Sequence, residues 1–485
     1  MVSSEAKAFA HPAVIARLAG MAAEIDALRV LVAALETESA ALRARLAVPA
    51  KTPENSSVPP AKGFKVDRAA RRRAARADGE PAPKRGPKPG HRGVSRRRVH
   101  GAAVDVIVPC RPETCAHCGH ALPAAGGTVV RRKQVIELPP VRPVVYEAQR
   151  WRVRCPHCQH GTVGRYPAGY GATGRFGPRL LGTVAYLHEE HHVAYARLET
   201  LLGELFGLTI SEGTLVGAVG RLGQALVPAA EAIGEDVRQA AFIGSDETSV
   251  RVDGQTHWEW VFQTETAAYH TIQPRRNTDV VLTFLRGVIP KGWGSDLWKP
   301  QLAAALVAAV YQICLAHQLR ELRYAEDAEK AAGRTAGLVW AVTMATLLRE
   351  AIHTRNEHDK DRLDGATYAS AVASIEERCD GLLAEELPNG CSRDLQKRFV
   401  THRRGLLTFL HHPEVPPTNN ASERSLRPSV VHRKVTGGFR HEAWATAYAA
   451  LRTVADTARK RGQPTFATVL KAAGTPLPAA AKLTT

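Results

Sequence analysis

The chain lacks long apolar runs. No stretch of about 18 consecutive apolar residues occurs, which argues against a helix that crosses a bilayer. The start, Met1-Val2-Ser3-Ser4-Glu5-Ala6-Lys7, also lacks the basic-then-apolar order of a secretory leader. The expected setting is the cytoplasm, with no membrane partner. Cysteine is sparse, at 8 in 485 residues, and in that setting the thiols argue against a disulfide framework. Acid is outnumbered, with 47 Asp and Glu against 65 Lys and Arg, for a net charge of +18. The excess is clustered: between Lys62 and Arg98, 14 Lys and Arg stand against Asp67, Asp78 and Glu80, which leaves +11 in that segment alone. Clustered positive charge is the footprint of a polyanionic partner. A solvated, disordered linker has the same composition, and the segment fits both descriptions.

At 485 residues the chain exceeds one ordinary hydrophobic core, so three or more structural units are expected. Residues 1–49 read as a coiled coil. Leu18, Met21, Ile25, Leu28, Val32, Leu35, Ser39, Leu42 and Leu46 alternate spacings of three and four, as a and d positions of heptads do. A lone amphipathic helix packed on its own protein is the plainer reading. The strict spacing, with Ser39 as the one polar a position, favours a homo-oligomer, a dimer. Residues 50–105 form a basic disordered linker, where Pro53, Pro59, Pro60, Pro81, Pro83, Pro87 and Pro89 exclude regular structure over much of the length. Its candidate phosphate contacts are Arg71, Arg72, Arg73, Arg76, Lys84, Arg85, Lys88, Arg96, Arg97 and Arg98.

Residues 106–168 carry Cys115-Ala116-His117-Cys118 and Cys155-Pro156-His157-Cys158. Each pair brings two thiolates to one side of a turn, and two turns complete a tetrahedron. One structural Zn²⁺ on Cys115, Cys118, Cys155 and Cys158 is expected. Between the knuckles, Val129, Val130, Val135, Ile136, Val144, Val145 and Trp151 suggest short strands, which makes the whole a zinc ribbon. Residues 169–240 read as a helical DNA-binding domain. Tyr195 to Phe206 is apolar at helical spacing, Gly207 stops that helix, and Ser211 begins another at Glu212. This order resembles a helix-turn-helix, though plain helical packing produces it too. The run His188-Glu189-Glu190-His191-His192 contains His-Glu-x-x-His, a metalloprotease pattern that on a helix sets two imidazoles on one face. Five residues match easily by chance and no later third ligand stands out, so the protease reading is set aside.

Residues 241–440 alternate strand and helix. Strands are expected from Phe242 to Asp246, His257 to Thr264 and Ala268 to Ile272, then just before Asp296, and from Tyr311 to Leu315. Helices are expected from Asn277 to Arg286, from Leu297 to Val307 and from Arg320 onward. The order is that of an RNase H-like catalytic domain, interrupted by a helical insertion at about 331–410. Residues 441–485 are a C-terminal helix and tail. The fold class is therefore multidomain α/β. The first and fourth strands set Asp246 and Asp296 side by side, and Glu423 sits at a helix start in Asn419-Asn420-Ala421-Ser422-Glu423-Arg424. Two strand-end aspartates and a late helical glutamate can hold a pair of Mg²⁺ ions for in-line phosphoryl transfer. Any one of them alone would be an ordinary surface acid. Glu247, next along the strand, points to the other face and is not counted as a ligand. Arg424, Arg427, Arg433 and Lys434 follow Glu423 as candidate DNA contacts, with a solvated basic helix face as the plainer reading.

At Asp246-Glu247-Thr248, Asp296 and Asn419 to Arg424 the chain resembles the DDE transposases, and more narrowly the insertion sequence 66 family. The likeness covers nearly the whole chain. It rests also on Asn55-Ser56-Ser57 before Pro59-Pro60, Gly86-Pro87-Lys88-Pro89-Gly90-His91-Arg92-Gly93, the paired knuckles and Cys314-Leu315-Ala316-His317, and on Arg433-Lys434 with Gly437-Gly438-Phe439-Arg440. It implies a nucleoid-associated bacterial transposase that binds the terminal inverted repeats of its own element and catalyses Mg²⁺-dependent strand cleavage and transfer. It implies two Mg²⁺ per active site, with Asp246 bridging both and Asp296 and Glu423 each holding one. Cys314 and His317 would help shape that site. The implied partners are DNA (element ends and target), a second copy of the chain, and element-encoded helper proteins. The alternative is a domesticated or inactive copy that binds DNA without cutting it; the intact acidic triad favours the enzyme.

Overall fold

The structure, a computed structural model, describes residues 12–46, 51, 90, 91, 93, 96–166 and 176–474. Most of the expected linker, with Arg71, Arg72, Arg73, Arg76, Lys84, Arg85 and Lys88, lies outside the described residues. The chain divides into two compact units, the smaller made of Lys65–Val144 with Glu204–Leu208. Inside the smaller unit, the Gln134 amide brackets the backbone of Val99, donating to its carbonyl at 2.7 Å and accepting from its N–H at 3.1 Å. The strands expected around Val129, Val130, Val135, Ile136, Val144 and Val145 are absent, while Trp151 immediately precedes the strand Arg152–Arg154. Those side chains are exposed, Val130 at 95% and Val135 at 90%, so neither a covered face nor a pairing partner stabilises an extended ladder there.

In the larger unit, helix α1 spans Pro12–Leu46, with Pro12 at the first helical position where its missing N–H costs nothing. Leu18, Met21, Ile25, Leu28, Val32 and Leu35 are exposed along it. Strands β1 (Arg152–Arg154) and β2 (Gly161–Val163) form a small antiparallel pair. Helix α2 (Pro178–Ala185) runs into a π-helical turn, Tyr186–Glu190, followed by α3 (Tyr195–Phe206) and α4 (Glu212–Arg238). Gly207 ends α3 at φ +65°, a conformation glycine adopts without strain. The Ser211 carbonyl opens α4 by accepting from Leu215 N–H, while its hydroxyl pairs with that of Thr214 at 3.0 Å.

The main sheet has the order β5-β4-β3-β6-β7. Strands β3 (Ile243–Val252), β4 (Gln255–Gln263) and β5 (Ala268–Gln273) form an antiparallel meander. Strands β6 (Gly292–Ser295) and β7 (Val310–Ile313) run parallel to β3, after α5 (Thr278–Leu285) and α6 (Lys299–Val307) respectively. Strand β3 is longer than the sequence suggested, and Asp246 lies inside it. The turn Asp253-Gly254, with both residues at positive φ, suits a two-residue hairpin and carries the pairing on to Val252. Trp260, Phe262, Trp293 and Ile243 are fully buried at the centre of the core, where Phe262 stacks on Phe284 at 3.8 Å.

Helix α7 (Leu315–Ala331) follows β7, and the segment expected as an insertion, about 331–410, is helical: α8 (Thr335–His358), α9 (Gly365–Ala384) and α10 (Cys391–Thr401). By length and composition α8 would suffice to cross a membrane, but Trp340, Met344, Leu348 and Ala351 pack into the core. Then follow α11 (Asn420–Thr436), α12 (Glu442–Lys460) and α13 (Thr465–Ala472). Helix α12 covers the sheet edge. Thr457 and Thr453 accept hydrogen bonds from the N–H groups of Ala268 and His270 on β5, at 3.1 and 2.9 Å, so the edge donors are not left unpaired. Behind them the buried ring of His270 lies between the carboxylates of Glu259 and Asp456, at 3.0 and 3.3 Å. Burial works against a charge on that ring, but Asp456 and Glu259 outweigh it and raise the His270 pKa.

Gly244 lets α11 approach β3. A Cβ there would lie 2.7 Å from Gln263 Nε2, 3.0 Å from Asn419 Oδ1 and 3.1 Å from Ser422 Oγ. Gly244→Ala is expected to cost about 1–3 kcal/mol of stability, the usual penalty for overpacking. Urea denaturation followed by circular dichroism checks this; an unchanged midpoint would show that the contact is loose.

Candidate active site

Three chain segments meet at the start of α11. Asn419, just before the helix, is buried, and its side-chain amide does not cap the helix. Its Nδ2 donates to the Ser245 carbonyl on β3 at 2.7 Å, and its backbone N–H donates to Cys314 Sγ at 3.1 Å. Ser422 donates to Asn419 Oδ1 at 2.6 Å and fixes the amide's orientation. Cys314 in turn follows β7, and its N–H donates to the Ser295 carbonyl at the end of β6 at 2.9 Å. One asparagine therefore locks together the residues next to Asp246, Asp296 and Glu423.

The parallel register pairs Ile243 with Trp293 and Gly244 with Gly294, so Asp246 and Asp296 stand at matching positions just beyond the paired segment. Their charges interact. The Asp246 carboxyl is pushed well above the ordinary range, first by removal from water, then by Glu247 and Asp296, with a smaller contribution from Glu423. Only the Glu247 N–H, donating to Asp246 Oδ1 at 2.9 Å, opposes this. Among the described residues, no Lys, Arg or His forms an ion pair with Asp246. Asp296 Oδ1 accepts from Trp298 N–H at 3.0 Å, and Glu423 lies 3.5 Å from Arg320 and 3.9 Å from His317. Of the two further residues singled out in the sequence, Cys314 accepts the Asn419 N–H at its thiol and His317 faces Glu423.

Glu247 is committed elsewhere. Its carboxylate pairs with Arg276 at 2.7 Å and accepts from Gln301 at 2.7 Å. The Arg276 guanidinium lies against Trp258 and Trp298, at 4.5 and 4.3 Å from the ring centres. Among the basic candidates, Arg96, Arg97, Arg98, Arg424, Arg427 and Lys434 are exposed. Arg433 is not: its guanidinium turns inward to the Thr248 hydroxyl at 2.9 Å and to the Ser249 carbonyl, which makes it a tie between α11 and β3 rather than a free phosphate contact.

The two cysteine knuckles have the same backbone pattern. In the first, Cys115 N–H donates to the His120 carbonyl and Gly119 N–H to the Cys115 carbonyl, both at 2.9 Å. In the second, Cys155 N–H and His160 O, and Gln159 N–H and Cys155 O, form the same pair at 2.9 Å. In each knuckle the N–H groups of Cys118 and His117, or of Cys158 and His157, lower the thiol pKa of the leading cysteine. Thiolate is the form that binds zinc, so the knuckles fit the metal.

The helix expected across His188 to His192 breaks within the motif. The π turn ends at Glu190, and His192 takes φ +55°, so the motif's two histidines do not share a helix face. His188 and Glu189 instead meet His432 of α11, a partner far along the chain that no local pattern could announce.

A mixed α/β domain with neighbouring carboxylates, in a chain that also carries two cysteine knuckles, defines a DNA-processing enzyme once its relatives are considered. The chain belongs to the transposase IS66 family, whose pattern matches residues 173–447, more than half of the length. The zinc-finger binding domain of transposase IS66 matches residues 112–159, which supports a structural zinc. No curated protein matches the chain.

Proposed function

We propose that this transposase binds the terminal inverted repeats of its insertion sequence and catalyses Mg²⁺-dependent strand cleavage and transfer from Asp246, Asp296 and Glu423. The observation that carries this reading is the matching register of Asp246 and Asp296 on neighbouring parallel strands, with the Asp246 carboxyl raised by burial, by Glu247 and Asp296 and less by Glu423, and, among the described residues, with no ion pair to Asp246. Divalent cations held there would remove the repulsion and supply the Lewis acid for in-line displacement at phosphorus. The strand order, a three-stranded meander followed by two strands parallel to its first, supports an RNase H-like catalytic domain. Asp246 interacts with both of the other acids, with Asp296 more than with Glu423, so it would help to hold ions shared with them. Glu423 is steadied by Arg320 and sits on a helix pinned to the sheet by Asn419, so its carboxylate has a fixed place relative to the aspartates. Arg424, Arg427 and Lys434, exposed on the same helix, are positioned to take phosphates of the element end. Cys115, Cys118, Cys155 and Cys158 hold the structural zinc in this reading.

Asp246→Ala, Asp296→Ala and Glu423→Ala are each expected to abolish strand cleavage and transfer on element-end duplexes while leaving DNA affinity nearly unchanged. A gel assay with Mg²⁺ on labelled ends measures both quantities. Cleavage by Asp246→Ala at the wild-type rate would sink the mechanism.

The N-terminal region is proposed to serve two tasks: the basic arm holds phosphates, and α1 pairs two copies through its exposed a and d side chains. Truncations separate them. Removing residues 62–98 should flatten the salt dependence of DNA binding, each lost phosphate contact changing the log–log slope by about 0.9. Removing residues 1–48 should instead lower the oligomeric state seen by sedimentation. An unchanged slope, or an unchanged oligomer with and without DNA, would remove the corresponding task.

A further inference from the structure

We propose that His188, Glu189 and His432 form a buried binding site for one Zn²⁺ ion, distinct from the cysteine knuckles and from the Asp246 cluster. One ligand atom from each residue lies within 4.8 Å of the others, and all three side chains are at most 5% exposed. Two imidazoles and one carboxylate are a zinc donor set.

The orientation of the groups favours metal over a hydrogen-bonded cluster. His188 Nδ1 lies 2.8 Å from the Val193 carbonyl, which fixes the proton on Nδ1 and leaves Nε2 as a lone pair facing Glu189 at 4.0 Å. An imidazole anchored through its far nitrogen to a carbonyl is how metal-bound histidines are usually held. His432 Nδ1 lies 3.4 Å from Glu189 Oε2, yet neither atom has a hydrogen-bond partner. Buried polar atoms are seldom left in that state, and a shared cation satisfies both. Beside the cluster stands His192, whose Nδ1 also lacks a partner and whose backbone sits in the left-handed region that side chains other than glycine seldom adopt. Its ring centre lies 6.1 Å from that of His432, which makes it the candidate for a fourth ligand.

The enclosure makes the site structural. Tyr195 stacks on His188 at 3.8 Å, and Tyr448 and Phe439 lie against His432 at 4.5 and 5.6 Å. No peptide could reach an ion so placed, which separates this site from protease chemistry despite the His-Glu-x-x-His pattern. The ion would join the π turn before α3 to α11, the helix whose first turn carries Glu423. It would thus fasten the catalytic helix at its C-terminal half, while Asn419 fastens it at its start.

Metal analysis and Co²⁺ titration of the full chain, in millimolar Mg²⁺ to fill the carboxylate site, test the assignment. Dialysed wild type should hold two zinc ions per chain, and Cys115→Ser/Cys155→Ser should hold one. Co²⁺ added to that cysteine variant should give d–d absorption of a four-coordinate ion with no sulfur charge-transfer band. Adding Glu189→Gln or His432→Gln should abolish the absorption, with circular dichroism reporting whether the fold persists. A single zinc in wild type that disappears with the cysteines, or no d–d absorption in the cysteine variant, would overturn the proposal. Because wild type alone decides the count, collapse of a variant does not rescue it.

Discussion

The amide of Asn419 is the contact on which the arrangement of this enzyme depends. The strands of the sheet and the helix that bears Glu423 are separated in the chain by the four helices α7 to α10. Nothing local can hold the glutamate against the aspartates. A buried side chain that donates to the carbonyl of Ser245, accepts from Ser422 and offers its backbone N–H to Cys314 does so with three directional bonds. Such bonds contribute modestly when made and cost more when broken in a dry interior. The close approach they need is available because Gly244 has no side chain at the crossing.

Charge is then distributed by purpose. Acids that serve the fold are compensated: Glu247 by Arg276, Glu259 and Asp456 by His270, and Glu190 by Arg452 at 2.5 Å and by Arg459. Breaking a buried pair of this kind is usually strongly destabilising, because the partner's charge is left behind. Asp246 is the exception. It is withdrawn from water among other acids with no cation at hand, a cost that folding alone gives no reason to bear. The contrast between Asp246 and its sequence neighbour Glu247 comes from strand alternation, which sends one carboxylate toward the cluster and the other into the arms of Arg276 and Gln301.

Much of this was legible in the sequence. Apolar periodicity and turn residues marked the order of strands and helices, and residue type with spacing singled out Asp246, Asp296, Glu423 and the four knuckle cysteines. The misses have physical causes. Strand β3 runs past Asp246 because a hairpin turn at Asp253-Gly254 keeps the ladder going; that dipeptide was visible and its consequence went unused. The valines between the knuckles have strand propensity but no surface to cover, and propensity without packing does not make a strand. Arg433 looks like its exposed neighbours Arg424, Arg427 and Lys434, and only the docking of α11 turns it inward. The meeting of His432 with His188 and Glu189 is a long-range event with no local trace.

The central claim is that Asp246, Asp296 and Glu423 share bound divalent metal. Iron-directed cleavage of the polypeptide tests it without requiring DNA or turnover: Fe²⁺ bound in place of Mg²⁺ reduces added hydrogen peroxide to hydroxide and a hydroxyl radical, with ascorbate restoring the Fe²⁺, and the radical cuts the chain beside the ligands. Cuts are expected next to all three residues, suppressed together by excess Mg²⁺ and lost together in Asp246→Asn. Cuts at only one of them, or a pattern indifferent to Mg²⁺, would contradict a shared metal centre.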